Sequence, residues 1–159
     1  MDYRIETKEA FQVVGKSIRI SAVENDHSQL ILKFWMDYGQ SEEFAILNAF
    51  AGDLGLLGIM SDFNEENNEF TYMIAIQAPD DPIENDFEKL EIPISTWAMF
   101  KAAGSALEVM PILWQSIYTE WLPGSGYEQA VTPALEVYPP GDITSSDYQC
   151  EAWVPVIKI

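Results

Sequence analysis

Two kinds of hydrophobic spacing alternate along this chain, and they divide it into strands and helices. Near the start, Tyr3, Ile5 and Thr7 occupy every second position, and Phe11 to Ile20 follows with Val13, Val14, Ile18 and Ile20 around Gly15. A period of two sends successive side chains to opposite faces of a sheet, so two strands are predicted here. Between Asp26 and Tyr38 the period changes. Leu30, Ile31, Phe34, Trp35 and Tyr38 form the apolar stripe of an amphipathic helix. Asp26 and Gln29 have the spacing of a capping box, and Gly39 suits the helix end. A shorter helix is predicted from Ser41 to Ala51. Leu54 to Met60 is a nearly unbroken apolar run, as expected of a strand buried on both faces. Phe70 to Gln77 alternates, with Phe70, Tyr72, Ile74 and Ile76 on one face, and the polar stretch Ser61 to Glu69 reads as a hairpin loop.

The acidic segment Pro79 to Glu88 carries Pro79 and Pro82 and is predicted to be a surface connection. Leu90 to Ile94 and Thr96 to Ala103 are strand-like, and Pro93 confines the first of them to an edge or a strand end. A second helix is predicted from Pro111 to Leu122, where Leu113, Trp114, Ile117, Tyr118, Trp121 and Leu122 repeat the helical spacing. Pro111 fits its first turn, and Pro123-Gly124 stops it. Ala134 to Tyr138 and Gln149 to Ile157 complete the pattern as strands. Both halves therefore read β-α-β-β. The expected fold is α+β: one domain, 1–159, of two modules, about 1–78 and 88–159. Joined edge to edge, they would form a curved antiparallel sheet with two amphipathic helices on one face and a cleft between the halves. Such a junction is a common place for a small-molecule site.

At 159 residues with 48% apolar content, the chain can build a real core, which excludes wholesale disorder. Twenty-six acidic residues against 8 basic ones give a net charge of −18. That field repels phosphate backbones and anionic lipid, so no direct DNA binding and no membrane contact is expected. The start of the chain has neither a basic nor an apolar leader region, no window approaches a membrane span, and a cytoplasmic location is expected.

Little in the sequence supports familiar catalytic machinery. One cysteine, Cys150, and one histidine, His27, cannot assemble a zinc site or an internal disulfide. His27 reads as an exposed or capping residue and Cys150 as a small core residue. Gly52, Gly55 and Gly58 lack the strand-loop-helix setting of a phosphate loop and read as structural. Asp62, Asn64 and Glu66 begin like a calcium loop, but Asn67 replaces its glycine and Met73 its terminal acid. No metal and no cofactor is expected. Glu136 is the odd residue: in Ala134-Leu135-Glu136-Val137-Tyr138 it shares a face with Ala134 and Tyr138 inside an apolar strand. It either points to water or lies beneath aromatic walls, where burial would raise its pKa or demand a cationic partner. Trp35, Tyr72, Trp114, Tyr118, Trp121 and Trp153 can supply such walls.

Several ordered segments resemble a known family. They are Tyr3-Arg4-Ile5-Glu6, Phe11-Gln12-Val13-Val14-Gly15, Phe70-Thr71-Tyr72-Met73-Ile74-Ala75, Ile117 to Glu128, Pro133 to Tyr138 and Glu151 to Val156. Together they resemble the GyrI-like small-molecule-binding domain, the effector-binding module of AraC- and MerR-type multidrug regulators. The resemblance implies a duplicated β-α-β-β fold around a hydrophobic pocket for lipophilic, often cationic compounds. Its characteristic acid maps to Glu136 and its strand tyrosine to Tyr72, with Trp114 and Tyr118 at helix positions. The expected ligand-binding set is Glu136, Tyr72, Trp114, Tyr118, Trp35, Tyr138 and Trp153. Because the resemblance begins at residue 3, with no space for a helix-turn-helix, a free-standing member is expected. Two further activities stay open: hydrolysis of strained-ring electrophiles, with Glu136 as base and Tyr72 or Tyr118 as proton donor, and a protein partner such as gyrase or a separate regulator.

Overall fold

The computed structural model describes residues 1–21 and 27–159. Its strands are β1 (Tyr3–Lys8), β2 (Phe11–Ser21), β3 (Leu56–Asn64), β4 (Glu69–Gln77), β5 (Glu88–Ile92), β6 (Ser95–Ala103), β7 (Tyr127–Gln129), β8 (Ala134–Tyr138) and β9 (Gln149–Lys158). The helices are α1 (His27–Tyr38), α2 (Glu42–Ala49) and α3 (Ala106–Ser116), the last continued by a π-helical turn, Ile117–Trp121. All strand pairs are antiparallel, in the order β1-β6-β9-β8-β3-β4-β2-β5, with the short β7 added to β9. Read inward from either end, the order is an edge strand, the first long strand of a half, its last strand and its middle strand. The halves meet where β3 pairs β8.

Strict alternation decides which side chains meet the helices. Leu135 and Val137 point to one side and join Trp97, Met99, Trp153, Val13 and Ile92 in one cluster. Those residues come from opposite ends of the strand order, so the sheet curls around this face. The helices pack on the other face. Phe34, Tyr38 and Leu47 meet Val14, Ile20, Tyr72 and Ile74, while Ala106, Met110, Leu113 and Ile117 meet Ala98, Phe100, Ala152 and Val154. Helical spacings of four and three residues bring Phe34 and Tyr38 onto one stripe of α1, and Ala106, Met110, Leu113 and Ile117 onto one stripe of α3 and the turn that continues it, while α2 contributes Leu47.

Several boundaries differ from the sequence reading, each for a physical reason. β3 continues through Ser61 to Asn64, so the hairpin loop shrinks to residues 65–68. A register irregularity after Ser61, with Asp62 at φ 54°, sustains pairing through the polar residues, and the Arg19 guanidinium bridges Asp62 and Glu69. β5 stops at Ile92, before Pro93, and is an edge strand as expected. α3 starts at Ala106, so Pro111 lies inside the helix rather than in its first turn. Gly104 turns the chain at φ +133°, and burial of Ala106 and Met110 draws the preceding turn into the helix despite the proline.

The π-helical turn was not legible in the spacing. In a continuous α-helix Trp121 would fall on the side of Trp114, seven residues earlier. The Leu122 amide instead bonds Ile117 O at 2.8 Å, and the wider turn swings Trp121 onto Phe100 (centroids 4.9 Å) and Tyr3 (5.2 Å). Gly39 follows α1 as predicted, its amide bonding Trp35 O at 2.9 Å. The Asp26 cap lies outside the described residues. His27, expected to be exposed or capping, is partly buried with its ring edge-on to Phe70 at 5.0 Å.

Candidate functional site: a buried carboxylate at the junction of the halves

Glu136 sits in β8 opposite Gly58 of β3 and opposite Ala152 of β9. Its neighbours on either side are thus two of the smallest residues, which leaves room for a carboxylate on the helix-facing side. Tyr72, in β4, lies beyond Gly58. With no side chain at Gly58, the Tyr72 ring crosses it, and Tyr72 Oη donates to Glu136 Oε1 at 2.6 Å. A β-carbon at position 58 would stand 2.6 Å from Glu136 Oε1 and 2.9 Å from Tyr72 Cζ. Gly58 is therefore the site residue that sequence reasoning treated as merely structural. Its signal was available: a glycine inside an apolar strand marks a close approach.

The helices close the arrangement from both sides. Trp114 Nε1, from α3, donates to Glu136 Oε2 at 2.9 Å. Trp35 Nε1, from α1, donates to Tyr72 Oη at 2.8 Å, and the Trp35 ring meets Tyr138 edge-on at 5.6 Å. Tyr138 Oη adds a donor to Glu136 Oε1 at 3.2 Å. The carboxylate is only 6% exposed, and among the described residues it has no ion-pair partner.

The electrostatics follow from that burial. Loss of water pushes the Glu136 carboxyl above its ordinary range, and the donors Tyr72, Trp114 and Tyr138 pull it partway back. Burial, then the neighbouring carboxylate, raises the Tyr72 and Tyr138 hydroxyls well above the usual tyrosine value. Both therefore stay protonated and act as donors. Cys150, wholly buried as a small core residue, has its thiol pushed up to about 11 by burial, with Glu136 contributing.

Of the seven residues named from sequence, Glu136, Tyr72, Trp114, Trp35 and Tyr138 come together. Tyr118 stacks on Trp114 at 5.8 Å and stays 43% exposed. Trp153 does not join them. It stands opposite Leu135 in register, so it shares the face turned away from the helices. There it packs on Trp97 at 5.8 Å, donates from Nε1 to Glu151 at 2.8 Å and lies under the Lys8 ammonium. No helix among the described residues is long and apolar enough to cross a membrane.

A curved antiparallel sheet with helices on one face, holding a buried acid under aromatic side chains, is a GyrI-like small-molecule-binding domain. The chain belongs to the Cass2 family of integron-associated effector binding proteins, whose model matches residues 4–156. It is similar to SAV2435, solved bound to tetraphenylphosphonium, at 22% identity and TM-score 0.83, covering 99% of this chain and 94% of the other. A candidate bacterial transcription regulation protein from Staphylococcus aureus MU50 matches at 25% identity and TM-score 0.77, over 98% of each chain. The integron cassette protein of Vibrio cholerae shares the fold at 14% identity and TM-score 0.72, covering 98% of this chain and 95% of its own. No curated protein sequence matches the chain.

Proposed function

We propose that this chain is a receptor or sequestering protein for hydrophobic, cationic small molecules, with Glu136 as the charge that selects them. The observation that carries the reading is a carboxylate 6% exposed, enclosed by indole and phenol rings, with no cationic side chain paired to it among the described residues. An ionised carboxylate in such surroundings is costly, and hydrogen bonds offset only part of that cost. A ligand cation supplies the missing charge, and a cation over an indole face adds about 0.5–2 kcal/mol. Tetraphenylphosphonium, found on the similar SAV2435, is a lipophilic cation of this kind. The Tyr72 hydroxyl is committed between Trp35 and Glu136, which supports holding a ligand over hydrolysing one.

We read the chain as one cytoplasmic domain of two repeats, 1–78 and 88–159, whose charge of −18 disfavours nucleic acid as a partner. Titration with tetraphenylphosphonium and with neutral triphenylphosphine oxide, on the wild type and Glu136→Gln, tests the function. The cation should lose about 1–3 kcal/mol in the variant while the neutral analogue changes little. Failure of the wild type to bind lipophilic cations, or equal affinity in the variant, overturns the proposal.

A further inference from the structure

The hydrogen bonds on Glu136 are unevenly divided between its oxygens. Oε1 accepts from Tyr72 at 2.6 Å and from Tyr138 at 3.2 Å, whereas Oε2 accepts only from Trp114, at 2.9 Å, among the described residues. Each carboxylate oxygen has two acceptor positions. Oε1 is thus filled, and Oε2 retains capacity.

The donors also differ in what holds them. Tyr72 is wholly buried in a strand paired on both sides, and Trp35 fixes its hydroxyl from behind. Tyr138 belongs to the same strand as Glu136. Trp114 comes from a helix, is only partly buried, and stacks on the half-exposed Tyr118. Oε2 therefore depends on a single donor among the described residues, and that donor is carried by a helix outside the sheet.

We propose that Oε2 is the acceptor for the ligand, that the Trp114 indole N–H holds that position in the free protein, and that the site prefers protonated amines carrying an N–H over fully substituted cations. This rests on the reading of Glu136 as a cation site. A cation that displaces Trp114 without offering a donor leaves a buried carboxylate one hydrogen bond short. An ammonium N–H restores that bond in charge-assisted form, shorter and stronger than the indole's. Desolvation alone works the other way, because a fully alkylated ammonium is the more weakly hydrated ion. The sign of the preference therefore reports the hydrogen bond.

The test uses a matched pair: dimethyl(4-phenylbutyl)ammonium, with one N–H, and trimethyl(4-phenylbutyl)ammonium, with none. Both are titrated calorimetrically into the wild type, Trp114→Phe and Glu136→Gln. The wild type should favour the N–H cation by about tenfold, equivalent to about 1.4 kcal/mol. Trp114→Phe keeps a ring and removes the competing donor from the free protein, so both ions should bind more tightly while the ratio between them holds. Equal or tighter binding of the trimethyl ion by the wild type overturns the inference, and so does unchanged or weaker binding of the N–H cation by a folded Trp114→Phe. The wild-type comparison stands even if that variant does not fold. If both ions bind, and both weaken in Glu136→Gln without any preference between them, only this inference fails; if neither binds, the proposed function fails with it.

Discussion

Replacing Gly58 by alanine asks whether the carboxylate is held as the structure has it, because one methyl group enters between its partners. The new β-carbon would stand 2.6 Å from Glu136 Oε1 and 2.9 Å from Tyr72 Cζ, with Tyr72 Oη nearer still. Comfortable contacts for carbon lie near about 3.5 Å, so the oxygens must retreat by close to about 1 Å. Gly58 is not among the residues with positive φ, so the effect is steric and not a backbone penalty. Tyr72 is 0% exposed and cannot swing to solvent, which means the 2.6 Å bond to Glu136 breaks. Overpacking costs about 1–3 kcal/mol. A lost hydrogen bond to a charged group adds about 1.5–3 kcal/mol. The expected destabilisation is about 3–5 kcal/mol, a large share of a typical total of about 5–15 kcal/mol. Urea unfolding measures it directly. Tyr72→Phe removes the clashing oxygen, so alanine at position 58 should be milder in that background, with a coupling of about 1.5–3 kcal/mol. A loss below about 1 kcal/mol for Gly58→Ala, or additivity within about 0.5 kcal/mol in the double variant, would refute the geometry.

Three other outcomes are expected. Because burial raises the Glu136 carboxyl above 4.5, the folded chain keeps its proton where the unfolded chain has released it, and this group's contribution to stability falls as pH climbs from 4.5 through the folded value. The wild type should therefore lose stability relative to Glu136→Gln across that window; a gain would mean the carboxyl is depressed instead. Pro111→Ala restores an amide donor within α3 and should stabilise the fold by about 1–3 kcal/mol in thermal unfolding, and no gain would show that the turn before Pro111 is not helical in solution. Trp153→Phe should cost about 1–2 kcal/mol through the lost bond to Glu151, yet leave tetraphenylphosphonium affinity unchanged. Weakened binding would return Trp153 to the site.

What the sequence disclosed, it disclosed through periodicity. Alternation located β2, β4, β6, β8 and β9 within a residue or two, and it also put Glu136 on one face with Tyr138. The same rule, applied to β9, would have excluded Trp153: Ala152 is paired with Glu136, so the residue after it must face away. That step needs the β8–β9 register, which no single strand contains. Gly58 signalled a close approach by its place in an apolar strand, but which residues approach it depends on the two side chains that cross it, from other strands. The π-helical turn was hidden because its residues have ordinary helical spacing, and the Leu122 amide bond to Ile117 O, with the contacts of Trp121 on Tyr3 and Phe100, reveals the extra residue in the turn.

The site's position also separates two roles of negative charge. The surplus of 18 negative charges acts from the surface, where salt screens it over about 8 Å at physiological ionic strength. It can raise the local concentration of any cation, but it cannot distinguish one cation from another. Discrimination has to arise where water is excluded, because only there does a missing hydrogen bond or charge cost enough to register. Glu136 meets that condition, with Gly58 and Ala152 leaving it space, Trp114 donating to it directly and Trp35, from the other half, holding the Tyr72 hydroxyl that donates to it. Moving the acid one residue along β8, to position 135 or 137, would place it on the face turned away from the helices, among Trp97, Met99 and Trp153. There it would lose the Tyr72, Tyr138 and Trp114 donors together. The period of two along a five-residue strand is therefore enough to decide whether this fold carries the proposed cation site or a destabilising charge.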